Sequence, residues 1–134
     1  MRSIFKTILT SGVVLLLISS CATVPTEPLA PGELRVLGFQ MGGDPVVNVA
    51  VWVKVLFEAD GRPEIRRACF TWSGEAQSCV KVSEVEYGPP GSFSIWIIPR
   101  QRGSLVLQCY AEYSRGGKAW PSNKVSTQVS VLPF

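Results

Sequence analysis

From Leu34 to the C-terminus the chain alternates between apolar and polar residues with a period of two. Between Val47 and Phe57 every second residue is valine or phenylalanine: Val47, Val49, Val51, Val53, Val55 and Phe57. Side chains on a strand point alternately to opposite faces, so this stretch predicts a strand with one buried face. The same alternation places Leu105, Leu107, Cys109, Ala111 and Tyr113 on one face, and sets Phe93, Ile95 and Ile97 against Ser94, Trp96 and Ile98. Turn-forming clusters interrupt these runs: Gly42-Gly43-Asp44-Pro45, Asp60-Gly61, Ser73-Gly74 and Gly88-Pro89-Pro90-Gly91. Seven strands are predicted, over 34–39, 46–58, 65–72, 79–87, 93–98, 105–113 and 125–132. Short strands spaced by turns in about 100 residues predict an all-β fold, a single seven-stranded β-sandwich over 34–134.

The residues before this domain have a different character. Arg2 and Lys6 give a positive start, and 7–18 form an apolar stretch shorter than the roughly 20 residues needed to cross a bilayer as a helix. The pattern predicts an export signal over 1–20. The segment that follows, 21–33, contains Pro25, Pro28 and Pro31 and has no apolar period, so it predicts a semi-rigid tether that extends about 3.1 Å per residue.

The run Leu17-Ile-Ser-Ser-Cys21 resembles the bacterial lipobox, with Ile18 where leucine is commonest. The resemblance implies cleavage before Cys21 and diacylglycerol on its sulfur. Several acyl chains on one cysteine hold a protein firmly at a membrane, because each buried methylene contributes about 0.8 kcal/mol. Ala22 after the cysteine resembles lipoproteins sorted to the outer membrane, so the expected location is the cell envelope of a Gram-negative host, lipid-anchored at the outer membrane. The alternative is an ordinary secreted chain cleaved elsewhere, with Cys21 free.

The stretch 105–131 resembles the last hairpin of immunoglobulin-like and fibronectin type III-like domains, and Trp72 lies on the third strand, where immunoglobulin domains often bury a tryptophan. The resemblance implies an immunoglobulin-like sandwich. Two departures mark it: the second strand has no cysteine to pair with Cys109, and Leu107 stands two positions before Cys109 where a tyrosine is usual. The usual inter-sheet disulfide is therefore not expected.

With Cys21 acylated, Cys69, Cys79 and Cys109 remain in a compartment that permits disulfides. If Trp72 faces inward, Ala68 and Phe70 do too, which leaves Cys69 on the outer face. If Val80 and Val82 face inward, Cys79 is also outside. The expected bond is Cys69–Cys79 across one hairpin, with Cys109 a buried free thiol on the inner face of its strand. The rival, Cys69–Cys109, needs a bulge to flip one face.

Composition excludes several chemistries. The chain has no histidine, which removes histidine-dependent triads and the commonest metal ligand. No glycine-rich phosphate loop or nucleophile elbow is present, and no cofactor is expected. Removing Arg2 and Lys6 from the thirteen basic residues leaves eleven against ten acidic ones, too even a balance to attract nucleic acid. Glu84 and Glu86 are a closely spaced acidic pair on one strand face, which reads as solvated surface and otherwise as a small carboxylate-dependent envelope enzyme.

Two surfaces are candidate binding sites. On the faces opposite the core, Trp52, Leu56, Trp96 and Ile98 point outward on strands that immunoglobulin-like sandwiches place side by side, a candidate patch for a protein partner. The tether or the first strand is the alternative cover for it. An immunoglobulin-like topology puts the loops after the second and sixth predicted strands at one end, which would then carry Arg62, Arg115, Lys118 and Trp120 together, a candidate contact for an acidic or glycan partner. The expectation is a noncatalytic binding or structural module contacting a protein partner, with a glycan-binding module as the alternative. Replacing Cys21 by serine removes the acyl acceptor; the variant is expected to lose incorporation of labelled palmitate and to leave the membrane fraction.

Overall fold

The computed structural model describes residues 27–133. The expected export signal over 1–20, Cys21 and tether residues 22–26 lie outside the described residues.

Among the described residues nine strands form two antiparallel sheets: β1 (Leu34–Met41), β2 (Val51–Ala59), β3 (Ile65–Trp72), β4 (Ser78–Val80), β5 (Ser83–Glu86), β6 (Gly91–Ile97), β7 (Gly103–Arg115), β8 (Lys118–Pro121) and β9 (Val125–Val131). The first sheet has the order β1-β2-β6-β5, and the second β4-β3-β7-β8, with β9 also paired to β7. That is the immunoglobulin-like arrangement, four strands facing a sheet built on the third and seventh, here extended by β4. The alternating residues named above close the core. Val53, Val55, Phe57, Phe93, Ile95 and Ile97 from the first sheet face Trp72, Leu107, Cys109, Ala111 and Tyr113 from the second, all buried.

Three stretches depart from the sequence reading. The strand predicted over 46–58 begins only at Val51, because Asn48 takes a positive φ of 64° and the Val49 amide bonds Val46 across a turn. Val49 is consequently 52% exposed, outside the core face that its period assigned to it. The strand predicted over 79–87 is two strands. β4 pairs with β3, the chain then crosses at Lys81 and Val82, and β5 pairs with β6 in the other sheet. Val80, Val82, Val85 and Tyr87 all pack against the core, but the inward parity shifts by one residue between Val82 and Val85, where Glu84 takes a positive φ and the β5–β6 register shifts. The stretch between the strands predicted over 105–113 and 125–132 holds a further strand, β8, whose Lys118–Pro121 pair back onto the end of β7.

Asn123 sits in the break between β8 and β9 and ties the two sheets together. Its side chain donates to the Val36 carbonyl (2.9 Å) and accepts from the Val36 amide (2.8 Å), as a neighbouring strand would. Val36 lies at the bulge where the β1–β2 register shifts, and it is fully buried. Buried backbone polar groups left without partners each cost about 1–3 kcal/mol. Asn123→Ala is therefore expected to lower unfolding stability by about 1–3 kcal/mol in a urea titration, with the same strand content by circular dichroism.

Candidate binding surface

The register of β2 against β6 decides what the outer face of the first sheet presents. Trp52 lies directly opposite Trp96, Lys54 opposite Ser94 and Leu56 opposite Ser92. On the far side of β6, Ser83 pairs with Ser94 and Glu86 with Ser92, and a register shift between them accommodates Glu84 at a positive φ of 53°. The small serines of β6 form the floor of a shallow groove of about 330 Å³. Trp52 and Lys54 stand on one wall, Glu84 and Glu86 on the other, with Trp96 at one end. The Ser94 hydroxyl donates to Glu84 Oε1 (3.4 Å), and the Ser83 hydroxyl donates to the Ser94 carbonyl (3.4 Å). Both glutamates are exposed.

The expected aromatic patch is present as a pair with unequal cover. Trp96 is 59% exposed and Trp52 36%. The end of β1 lies against Trp52: the Gly42 amide bonds the Trp52 carbonyl (2.7 Å), and a Cβ at Gly42 would strike the indole ring. Glycine at 42 thus lets the backbone pack flat on the ring, and the first strand covers part of Trp52. Ile98 is exposed and shares with Trp96 a second depression of about 260 Å³, which also reaches Phe70, Trp72 and Val80 at the open margin between the sheets. Leu56 is half-buried, two rungs from the tryptophan pair, and is not among the groove residues. Lys54, Ser92 and Ser94 were missed from sequence. Their period placed them outward, but which residues flank them depends on the strand that follows β4 changing sheets.

The second cluster assembles at the opposite end of the sandwich. The Ser114 amide bonds the Glu64 carbonyl (2.9 Å), which joins the β2–β3 loop to the end of β7. The Arg115 guanidinium lies 4.6 Å over the Trp120 ring, and the Arg62 guanidinium 5.7 Å over Tyr87. Lys118 pairs with Arg115 in register. Arg62 and Arg115 therefore stack on different rings. Among the described residues no three His, Cys, Asp or Glu side chains stand together as a metal site.

No protein-family model matches the chain. No curated protein matches it either. Among solved structures it is similar to the CARDB domain of a protein from Pyrococcus furiosus, solved in complex with di-metal ions. That likeness has 14% identity and a TM-score of 0.48, covering 81% of this chain and all of the other.

Cys69 and Cys79, opposite one another in the β3–β4 register, form a disulfide. Cys69 is fully buried although its strand period turns it away from the core, and Tyr110 of β7 is its other cross-strand neighbour. Cys109 is a free buried thiol, pushed by burial from 9.0 up to about 12. In the unfolded chain this thiol ionises near 9, whereas the fold keeps it protonated to about 12. Its contribution to stability is thus complete below pH 9 and declines as the pH climbs toward 12. Cys109→Ala is expected to flatten this alkaline decline, measured as the difference in urea midpoint between the two proteins on either side of pH 9.

Proposed function

We propose that the chain is a lipoprotein of the cell envelope, anchored at the outer membrane through Cys21. Its sandwich domain acts as a noncatalytic module that contacts a partner protein through the outer face of the first sheet. The observation that carries the reading is the Trp52–Trp96 cross-strand pair, with Trp96 59% exposed and continuous with exposed Ile98. Large aromatic rings held rigidly by a sheet lose little freedom on binding, and tryptophan is enriched among residues that dominate interfaces. Gly42 fixes Trp52 from behind, so the pair presents one braced ring and one open one.

A second reading, glycan binding, draws on the same groove. Trp96 offers a stacking face, and Lys54, Ser94, Glu84 and Glu86 beside it offer hydroxyl-matching donors and acceptors. The exposed position of both carboxylates, in a groove that does not exclude water, supports binding over hydrolysis.

Affinity capture from envelopes with the lipid retained separates these readings. The wild-type chain is expected to recover a specific envelope protein, and Trp96→Ser to reduce the recovery about ten-fold, the equivalent of about 1.4 kcal/mol, with an unchanged melting temperature. Equal recovery by the variant would refute the patch, and retention on isolated envelope glycan that is lost in Glu86→Gln would favour the second reading.

A further inference from the structure

The geometry points to a bilayer-contact surface at the end of the sandwich where the tether leaves it, built from Trp120, Arg115, Lys118 and Arg62 and fitted to anionic lipid headgroups. This inference rests on the lipid anchor proposed above and adds an orientation to it.

The chain approaching β1 is pinned to that end. The Gly32 amide bonds the Asp60 carboxylate (2.9 Å), the Asp60 amide bonds the Glu33 carbonyl (2.9 Å), and the Ala30 amide bonds the Glu33 carboxylate (2.7 Å). A Cβ on Gly32 would lie 3.5 Å from Arg115 Cγ, so the tether leaves beside the tip of the β7–β8 hairpin. From Cys21 to Gly32 a fully extended chain reaches at most about 40 Å. The hairpin tip is thereby confined to a short distance from any bilayer that holds Cys21, at a high effective concentration.

The tip has the composition such a surface selects. Tyr113 pairs with Trp120 and Arg115 with Lys118, and the period of two puts all four on one face. Tyr113 is buried in the core, whereas Trp120 is 43% exposed. A tryptophan with an arginine stacked on it presents an apolar ring and a cation together, the pairing enriched where membrane meets water. Among the described residues Arg62, Arg115 and Lys118 take part in no ion pair. The nearby acids are engaged: Asp60 and Glu33 accept the amides just named, and Glu64 accepts the Ser114 hydroxyl. The cations are therefore available to headgroup phosphates. Docking this end would leave Trp96, paired with Trp52 at the start of β2, toward the opposite end of the strands from the bilayer.

The test uses the full lipidated chain reconstituted into vesicles of phosphatidylcholine with and without phosphatidylglycerol, with brominated lipid as a quencher of tryptophan fluorescence. The expected result is quenching in the anionic vesicles that weakens with added salt, disappears in Trp120→Phe and persists in Trp96→Phe. Arg115→Gln and Lys118→Gln are each expected to lower the ratio of docked to undocked chain about five-fold. Flotation with the vesicles reports the anchor separately. A chain that floats but shows no Trp120-dependent quenching overturns the docked end and leaves the anchor standing, and a chain that does not float overturns both.

Discussion

The antiparallel pairing of β2 with β6 is the contact on which both the core and the outer surface depend. Its register sets Val53 beside Ile95 and Val55 beside Phe93 on the inner side, and in the same step Trp52 beside Trp96 on the outer side. A slip of one residue would exchange the two faces, burying Lys54 and exposing the valines. The cost of that exchange is what makes the register single-valued. The outer tryptophan pair is thus a consequence of core burial, whatever further purpose it serves.

The groove beside that pair depends on a different device. The chain leaves the second sheet after Val80 and joins the first at Ser83, which carries Glu84 and Glu86 across to flank the serines of β6. The Cys69–Cys79 bond holds β4 to β3 just before the crossing. A loop of about ten residues closed in this way contributes about 2–3 kcal/mol, on a chain-entropy account. Asn123 performs a matching service on the other side of the molecule, where it satisfies the bulged edge of β1 from the second sheet.

The two ends of the sandwich have unlike chemistry, and the proposed anchor gives the difference a direction. One end binds the approaching tether through Asp60 and Glu33 and carries stacked arginines. Toward the other lie Trp96 and Ile98, with the buried indole of Trp72 below them. On the proposed reading the first end meets lipid, and the partner surface lies on the outer sheet face toward the second.

Much of this was legible in the residues themselves. Period-two alternation placed Val51 to Phe57, Phe93 to Ile97 and Leu105 to Tyr113 on their buried faces, because burial and strand geometry are both local to a strand. The same parity argument paired Cys69 with Cys79 and left Cys109 alone inside. Tertiary structure alone decided where an apolar alternation stops being one strand: Val49 keeps the period but turns out at Asn48, and in 79–87 the inward parity passes from Val80 and Val82 to Val85 and Tyr87 as the chain changes sheets. Hydropathy records which side is buried and carries no information about which backbone supplies the hydrogen bonds. For that reason the groove wall of Glu84 and Glu86, the seat of Gly42 on Trp52 and the reach of Asn123 to Val36 follow only from the folded arrangement.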